Sequence, residues 1–257
     1  MATFVHNGIK LAYDDQGAGK PAFLFVHGWT CDRSIFSPQI NHFARQHRVI
    51  SVDLRGHGES DKPEGDYPIT AYAEDLAQII EHLHTGKVVA VGHSMGGSAV
   101  LQLAASYPDK VAAIVMIDPP SLEIPEEFRT GLEGIIKAID AGNQEPRKQA
   151  IMTQMFLPTS DRKLVEDVTA LMMAAPSHIA SSALQGVLEF DGRTAAEHCK
   201  VPALHLAASS PDNPPQQMSE SLPDVVTGWT VGAGHFSQLE VPDQVNAMIE
   251  AFLRHYL

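Results

Sequence analysis

Four short stretches of the chain, Ala22–Val26, Arg48–Val52, Val88–Val91 and Val111–Ile117, are apolar almost throughout and do not alternate with polar residues. A strand with one wet face alternates, whereas a strand covered on both faces has no reason to. These runs therefore predict the centre of a mostly parallel sheet. The segments between them, Ile35–Gln46, Thr70–His84 and Ser94–Tyr107, carry helical periodicity. A β-α-β-α order of this kind implies an α/β architecture with helices on both faces and right-handed crossovers. Before the first buried run, Thr3–His6 and Ile9–Asp14 flank Asn7-Gly8, a pair suited to a tight hairpin turn.

The rhythm stops after Asp118. From Pro119 to about Phe190 no strand pattern occurs; Glu126–Ala141, Glu145–Met155, Arg162–Ala174 and Pro176–Leu188 all read as helices. Strand patterns return at Ala203–Ala207 and Val225–Val231, and Pro242–Leu257 reads as a closing amphipathic helix. The expected organisation is a sheet-bearing core at 1–120 and 191–257, with a helical insertion at 121–190 after the sixth strand. The chain has 257 residues, 18 Lys plus Arg against 31 Asp plus Glu, and a formal charge of −13. A chain so acidic, with no basic block, is a poor nucleic-acid binder, because phosphate contacts supply most of such affinity. Anionic membrane surfaces are disfavoured for the same reason, and no apolar run is long enough to span a bilayer. The first residues carry no basic-then-apolar leader pattern. The two cysteines, Cys31 and Cys199, form neither a disulfide framework nor a zinc pattern. The expectation is a cytoplasmic protein with reduced thiols, without metal or cofactor, acting on a small molecule.

The chemistry centres on Gly92-His93-Ser94-Met95-Gly96-Gly97, which follows one buried run and opens a helix. A serine flanked in this way sits in a strained strand-to-helix turn, with glycines where the two backbones approach too closely for a Cβ. The turn presents Ser94 as a nucleophile, and the Met95 N–H lies near the helix N-terminus, where an oxyanion would form. Serine needs a base. Of the 13 histidines, His235 in Gly232-Ala233-Gly234-His235-Phe236 follows the last strand, at the sheet edge where such folds bind ligands. His27-Gly28-Trp29 follows the first buried run, and the Trp29 N–H is the candidate second oxyanion donor.

Taken with Asp53–Pro63 and Leu239-Glu240-Val241-Pro242, these motifs span nearly the whole chain. In that order the chain resembles the α/β-hydrolase fold superfamily, in its branch of small serine esterases, lactonases and haloperoxidase-like proteins. The resemblance implies that the insertion is a cap over the pocket, that Arg55 and Asp61 organise a loop, and that a Ser-acid-His triad cleaves carboxylic esters, with lactones or thioesters as variants. It also implies an acid after one of two strands. Asp118 follows the strand before the cap and Asp212 the strand after it; Asp118 is favoured, because the later loop lacks the usual glycine and Asp212 falls about one residue late. His27, Met152, Met155 and Phe156 are the expected substrate-binding residues. A neutral ester fits best, since no basic residue is evidently placed to meet an anionic one. Two alternatives stay open: a cofactor-free dioxygenase or perhydrolase-type enzyme on the same fold, and a non-catalytic small-molecule receptor.

Overall fold

In the computed structural model, residues 1–209 and 215–257 are described. Eight strands form one sheet: β1 Ala2–His6, β2 Ile9–Gln16, β3 Ala22–Val26, β4 Val49–Val52, β5 Val88–His93, β6 Val111–Ile117, β7 Ala203–Ala207 and β8 Val226–Trp229. Their spatial order is β1-β2-β4-β3-β5-β6-β7-β8. The β1–β2–β4 pairings are antiparallel and all the others parallel. Every residue of β3, β4, β5 and β7 is buried, as expected of strands sandwiched between helices. The outer strand β8 alternates between half-buried and exposed positions. Asn7 and Gly8 both take positive φ, 50° and 80°, the backbone a two-residue hairpin demands.

The helices before the sixth strand's end are α1 Ser37–Phe43, α2 Ile69–His82 and α3 Met95–Ser106. The segment expected to be one helix from Ile35 instead begins as a 3-10 turn, Arg33–Phe36, and becomes α-helical only at α1. Pro38 accounts for the boundary: its ring suits the first turn of a helix and its missing N–H would break an interior.

Between β6 and β7 the chain runs through α4 Glu126–Asp140, α5 Glu145–Gln154, α6 Arg162–Met173, α7 Ser177–Leu188 and α8 Gly192–His198. Then come α9 Pro215–Ser221, α10 Ser237–Glu240 and α11 Pro242–Tyr256. The short α8, α9 and α10 were not foreseen; segments of seven residues or fewer scarcely establish a helical period. No helix among the described residues is long and apolar enough to cross a membrane. Cys31 and Cys199 are free and buried.

The sheet register positions the site. Val26 of β3 pairs with Gly92 of β5, His93 pairs with Ile117 of β6, and Ile117 pairs with Leu206 of β7. The residues just past three of these strand ends, His27, Ser94 and Asp118, therefore emerge side by side at one edge. Backbone bonds extend the pattern one residue further, with the Ser94 N–H donating to the Ile117 carbonyl at 2.9 Å and the Asp118 N–H to the Leu206 carbonyl at 2.8 Å.

Candidate active site

Ser94 links β5 to α3 with φ 53° and ψ −124°, a conformation costly for a residue with a Cβ. The turn is held by close packing. A Cβ on Gly92 would lie 2.1 Å from the Gly96 carbonyl oxygen, and one on Gly96 would lie 2.2 Å from that of Val26. Only glycine fits at either position. The Ser94 carbonyl accepts the Gly97 N–H at 2.7 Å, which starts the helix.

Asp118 also has positive φ, 44°, and its side chain is 6% exposed. Its Oδ2 lies 2.6 Å from Nδ1 of His235, and its Oδ1 accepts the Ala208 N–H at 3.1 Å. With Nδ1–H donating to the carboxylate, Nε2 of His235 is left as the basic nitrogen. The His235 backbone is pinned at both ends: its N–H donates to the Met155 carbonyl at 2.9 Å, and its carbonyl accepts Nε2–H of His93 at 2.8 Å. His93 is fully buried and its Nδ1 has no partner among the described residues. Burial first, and then the neighbouring His235, push its pKa well below the ordinary histidine value, so it stands beside His235 as a neutral ring.

On the opposite side, a Cβ on Gly28 would lie 3.1 Å from the Ser94 Cβ, so the 27–29 turn abuts the serine. The Trp29 and Met95 N–H groups find no acceptor among the described residues. The Trp29 indole Nε1–H donates to the Ala180 carbonyl of α7 at 2.8 Å.

A cavity of ≈ 120 Å³ joins these groups. Ser94, His93, His235, Asp118, Gly28, Trp29 and Met95 line it from the sheet side. Phe128, Leu132, Ile135, Gln154, Met155, Met172 and Leu184 line it from the helices between β6 and β7. A larger cleft of ≈ 620 Å³ holds neither Ser94 nor His235 and touches the first cavity only at Cys31. Its polar lining is ion-paired: Arg33 binds Asp14 and Glu59 at 2.7 and 2.6 Å and also meets Asp53.

Of the four expected substrate-binding residues, Met155 lines the cavity. His27, Met152 and Phe156 do not. The His27 ring is spent inside the turn, with Nδ1 bonded to the Gly28 carbonyl and Nε2 accepting the Leu54 N–H. Met152 is 39% exposed, and Phe156 packs behind the cavity on Phe236 with ring centroids 5.3 Å apart. Asp212 lies outside the described residues. Arg55 is bound by both oxygens of Asp75 at 2.6 Å, and Asp61 accepts the Lys10 N–H at 2.8 Å, contacts that belong to the loop rather than to the cavity. Gln154 was not singled out in the sequence, and Cys31 only as a reduced thiol. Nor was Arg147, whose guanidinium carbon lies 5.4 Å from the centre of the Trp29 ring. Its signal was present: Arg147, Ala150 and Ile151 share one buried helical face, a face on which a cation is out of place.

Residues 21–138 match the sequence model described as the α/β hydrolase fold. The 2-(acetamidomethylene)succinate hydrolase of Mesorhizobium japonicum is 38% identical over 137 residues, covering 53% of this chain and 47% of that protein. The matched segment spans about half or less of the first curated relatives. Among solved structures, an esterase from Thermogutta terrifontis superposes with a TM-score of 0.88 at 27% identity, covering 99% of this chain and 97% of that one. The enol-lactonase from Burkholderia xenovorans also reaches 0.88, at 21% identity, covering 98% and 100%. The chain has the α/β-hydrolase fold, and over nearly its whole length it is similar to a small esterase of that fold.

Proposed function

We propose that the chain is a serine hydrolase that cleaves carboxylic esters, lactones and thioesters included, through an acyl-enzyme on Ser94. The observation that carries this reading is the 2.6 Å contact between His235 Nδ1 and Asp118 Oδ2, at the strand edge where Ser94 stands in its strained turn. Asp118 is taken as the orienting acid. Residues 121–190 are taken as a cap whose apolar side chains receive the acyl or alcohol group. The apolar cap side of the cavity favours a neutral substrate, and the buried free thiols fit a reducing, cytoplasmic setting. The similarity to an esterase over nearly the full length of both chains supports the same reaction class.

In the first step the Ser94 Oγ attacks the acyl carbonyl while its proton moves to Nε2 of His235. The Trp29 and Met95 N–H groups donate to the oxyanion that forms. As the tetrahedral species collapses, the leaving alcohol takes the proton from Nε2. Water then gives a proton to Nε2 and attacks the acyl carbon. Ser94 leaves with that proton, and the carboxylic acid departs. Asp118 stays ionised throughout and stabilises the imidazolium.

The test is a panel of p-nitrophenyl esters, lactones and thioesters assayed with Ser94→Ala as the blank. The expected outcome is turnover on at least one class, reduced by about 10⁴-fold or more in the variant. Turnover that survives Ser94→Ala contradicts the proposal.

A further inference from the structure

Arg147 is 1% exposed, yet no carboxylate lies within ion-pairing distance among the described residues, and its Nε has no partner. Its other nitrogens meet only neutral oxygens: Nη1 the Gln144 side chain at 3.2 Å and the Ala175 carbonyl at 3.4 Å, Nη2 the Met172 carbonyl. A buried cation without a counter-ion is costly and calls for a compensating interaction. The guanidinium also lies over the face of Trp29, 5.4 Å from the ring centre, at a distance where the ring quadrupole attracts a cation. Burial lowers its pKa only to about 10, so it stays charged at neutral pH.

The bonds inside the Trp29 turn end on Gly28, whose carbonyl accepts Nδ1–H of His27 at 2.8 Å and the Cys31 N–H at 3.2 Å; neither reaches Trp29 itself, and Thr30 beside it sits at φ 55°. The indole is instead held from the helices between β6 and β7, by the Ala180 carbonyl at its edge and by Arg147 over its face.

We propose that Arg147 is a positioning residue for the oxyanion turn: stacked on the Trp29 indole, it fixes the direction of the Trp29 N–H and places an uncompensated positive charge behind the oxyanion. This inference rests on the serine-hydrolase reading and deepens it. The competing role is structural, since the carbonyls it binds lie in the last turn of α6 and just past its end. The two separate in kinetics. An oxyanion effect acts on the transition state and so on kcat, whereas ground-state binding of a neutral ester and KM are spared.

The experiment compares wild type, Arg147→Lys and Arg147→Met on a neutral p-nitrophenyl ester, with inhibition by an alkyl boronic acid, whose tetrahedral adduct with serine carries the oxyanion's charge. In Arg147→Met, kcat falls about tenfold or more, KM stays within about twofold, and the boronate inhibition constant rises by the same factor as kcat falls. Arg147→Lys recovers part of both, because it keeps the charge but not the flat stack. If Arg147→Met does not fold, Arg147→Lys carries the test, with kcat and boronate affinity reduced together by threefold or more. Overturning results are kcat and boronate affinity both within twofold of wild type whatever happens to Tm, or a loss of kcat with unchanged boronate inhibition. Absence of Ser94-dependent turnover in the wild-type chain overturns the serine-hydrolase reading itself, and this proposal with it.

Discussion

Asp118 bears on its neighbours through two oxygens with different tasks, one toward His235 Nδ1 and one toward the Ala208 N–H. Asparagine at this position offers one oxygen where the carboxylate offers two, and cannot neutralise an imidazolium. Asp118→Asn is therefore expected to lower kcat by about 10⁴-fold with little change in KM, measured on whichever ester the panel selects. Asp212→Asn is expected to stay near wild type; the opposite pattern moves the acid to the later loop. Sequence alone separated these two aspartates poorly, because both follow strands that end at the same sheet edge. The register of β5, β6 and β7 and the positive φ of Asp118 are facts of pairing and backbone that no spacing rule contains. Ser94 and His235 stand out in the sequence because glycines flank them where the backbone packs closely. His27 was misread because a histidine beside a binding loop looks the same whether its ring faces the ligand or its own turn.

Whole elements were read more easily than their partners. The unalternated runs of β3 to β6 announced a sheet covered on both faces, and the helices α4 to α7 followed from periodicity. Periodicity says that a face is buried, not against what, so it assigned Met152 and Phe156 to the cavity and passed over Gln154 and Arg147. The contact between β5 and α3 gives an element-scale prediction. Gly92→Ala forces a Cβ to 2.1 Å from a carbonyl oxygen and should destabilise the chain by about 3 kcal/mol. Gly131, inside α4, has nothing within 4 Å of the same position, so Gly131→Ala should stabilise by about 0.5–1 kcal/mol. Urea unfolding of both variants checks the pair, and equal effects would mean that the strand–helix packing is looser than described.

At the scale of the molecule, acid stability turns on buried neutral histidines. Burial lowers the pKa of His57 to about 3 and of His205 to about 4, and lowers those of His27 and His93 as well. A depressed histidine takes up its proton in the unfolded chain before the folded one, so stability rises with pH across that window and is lost as pH falls. Each such residue contributes a slope of about 1.4 kcal/mol per pH unit between the unfolded value of about 6.5 and its folded value. Tm followed by calorimetry should drop steeply from pH 6 to pH 4.5, above the range where most carboxylates titrate; a flat profile there contradicts the burial of these rings. The −13 charge contributes nothing to the proposed chemistry, which is assigned to a few residues at one sheet edge. The most direct measurement of that chemistry is covalent labelling by an alkyl fluorophosphonate, located by peptide mass mapping. One label per chain is expected, on Ser94, lost in Ser94→Ala and strongly slowed in His235→Ala. A label on another residue, or undiminished labelling of Ser94→Ala, would contradict the proposed chemistry.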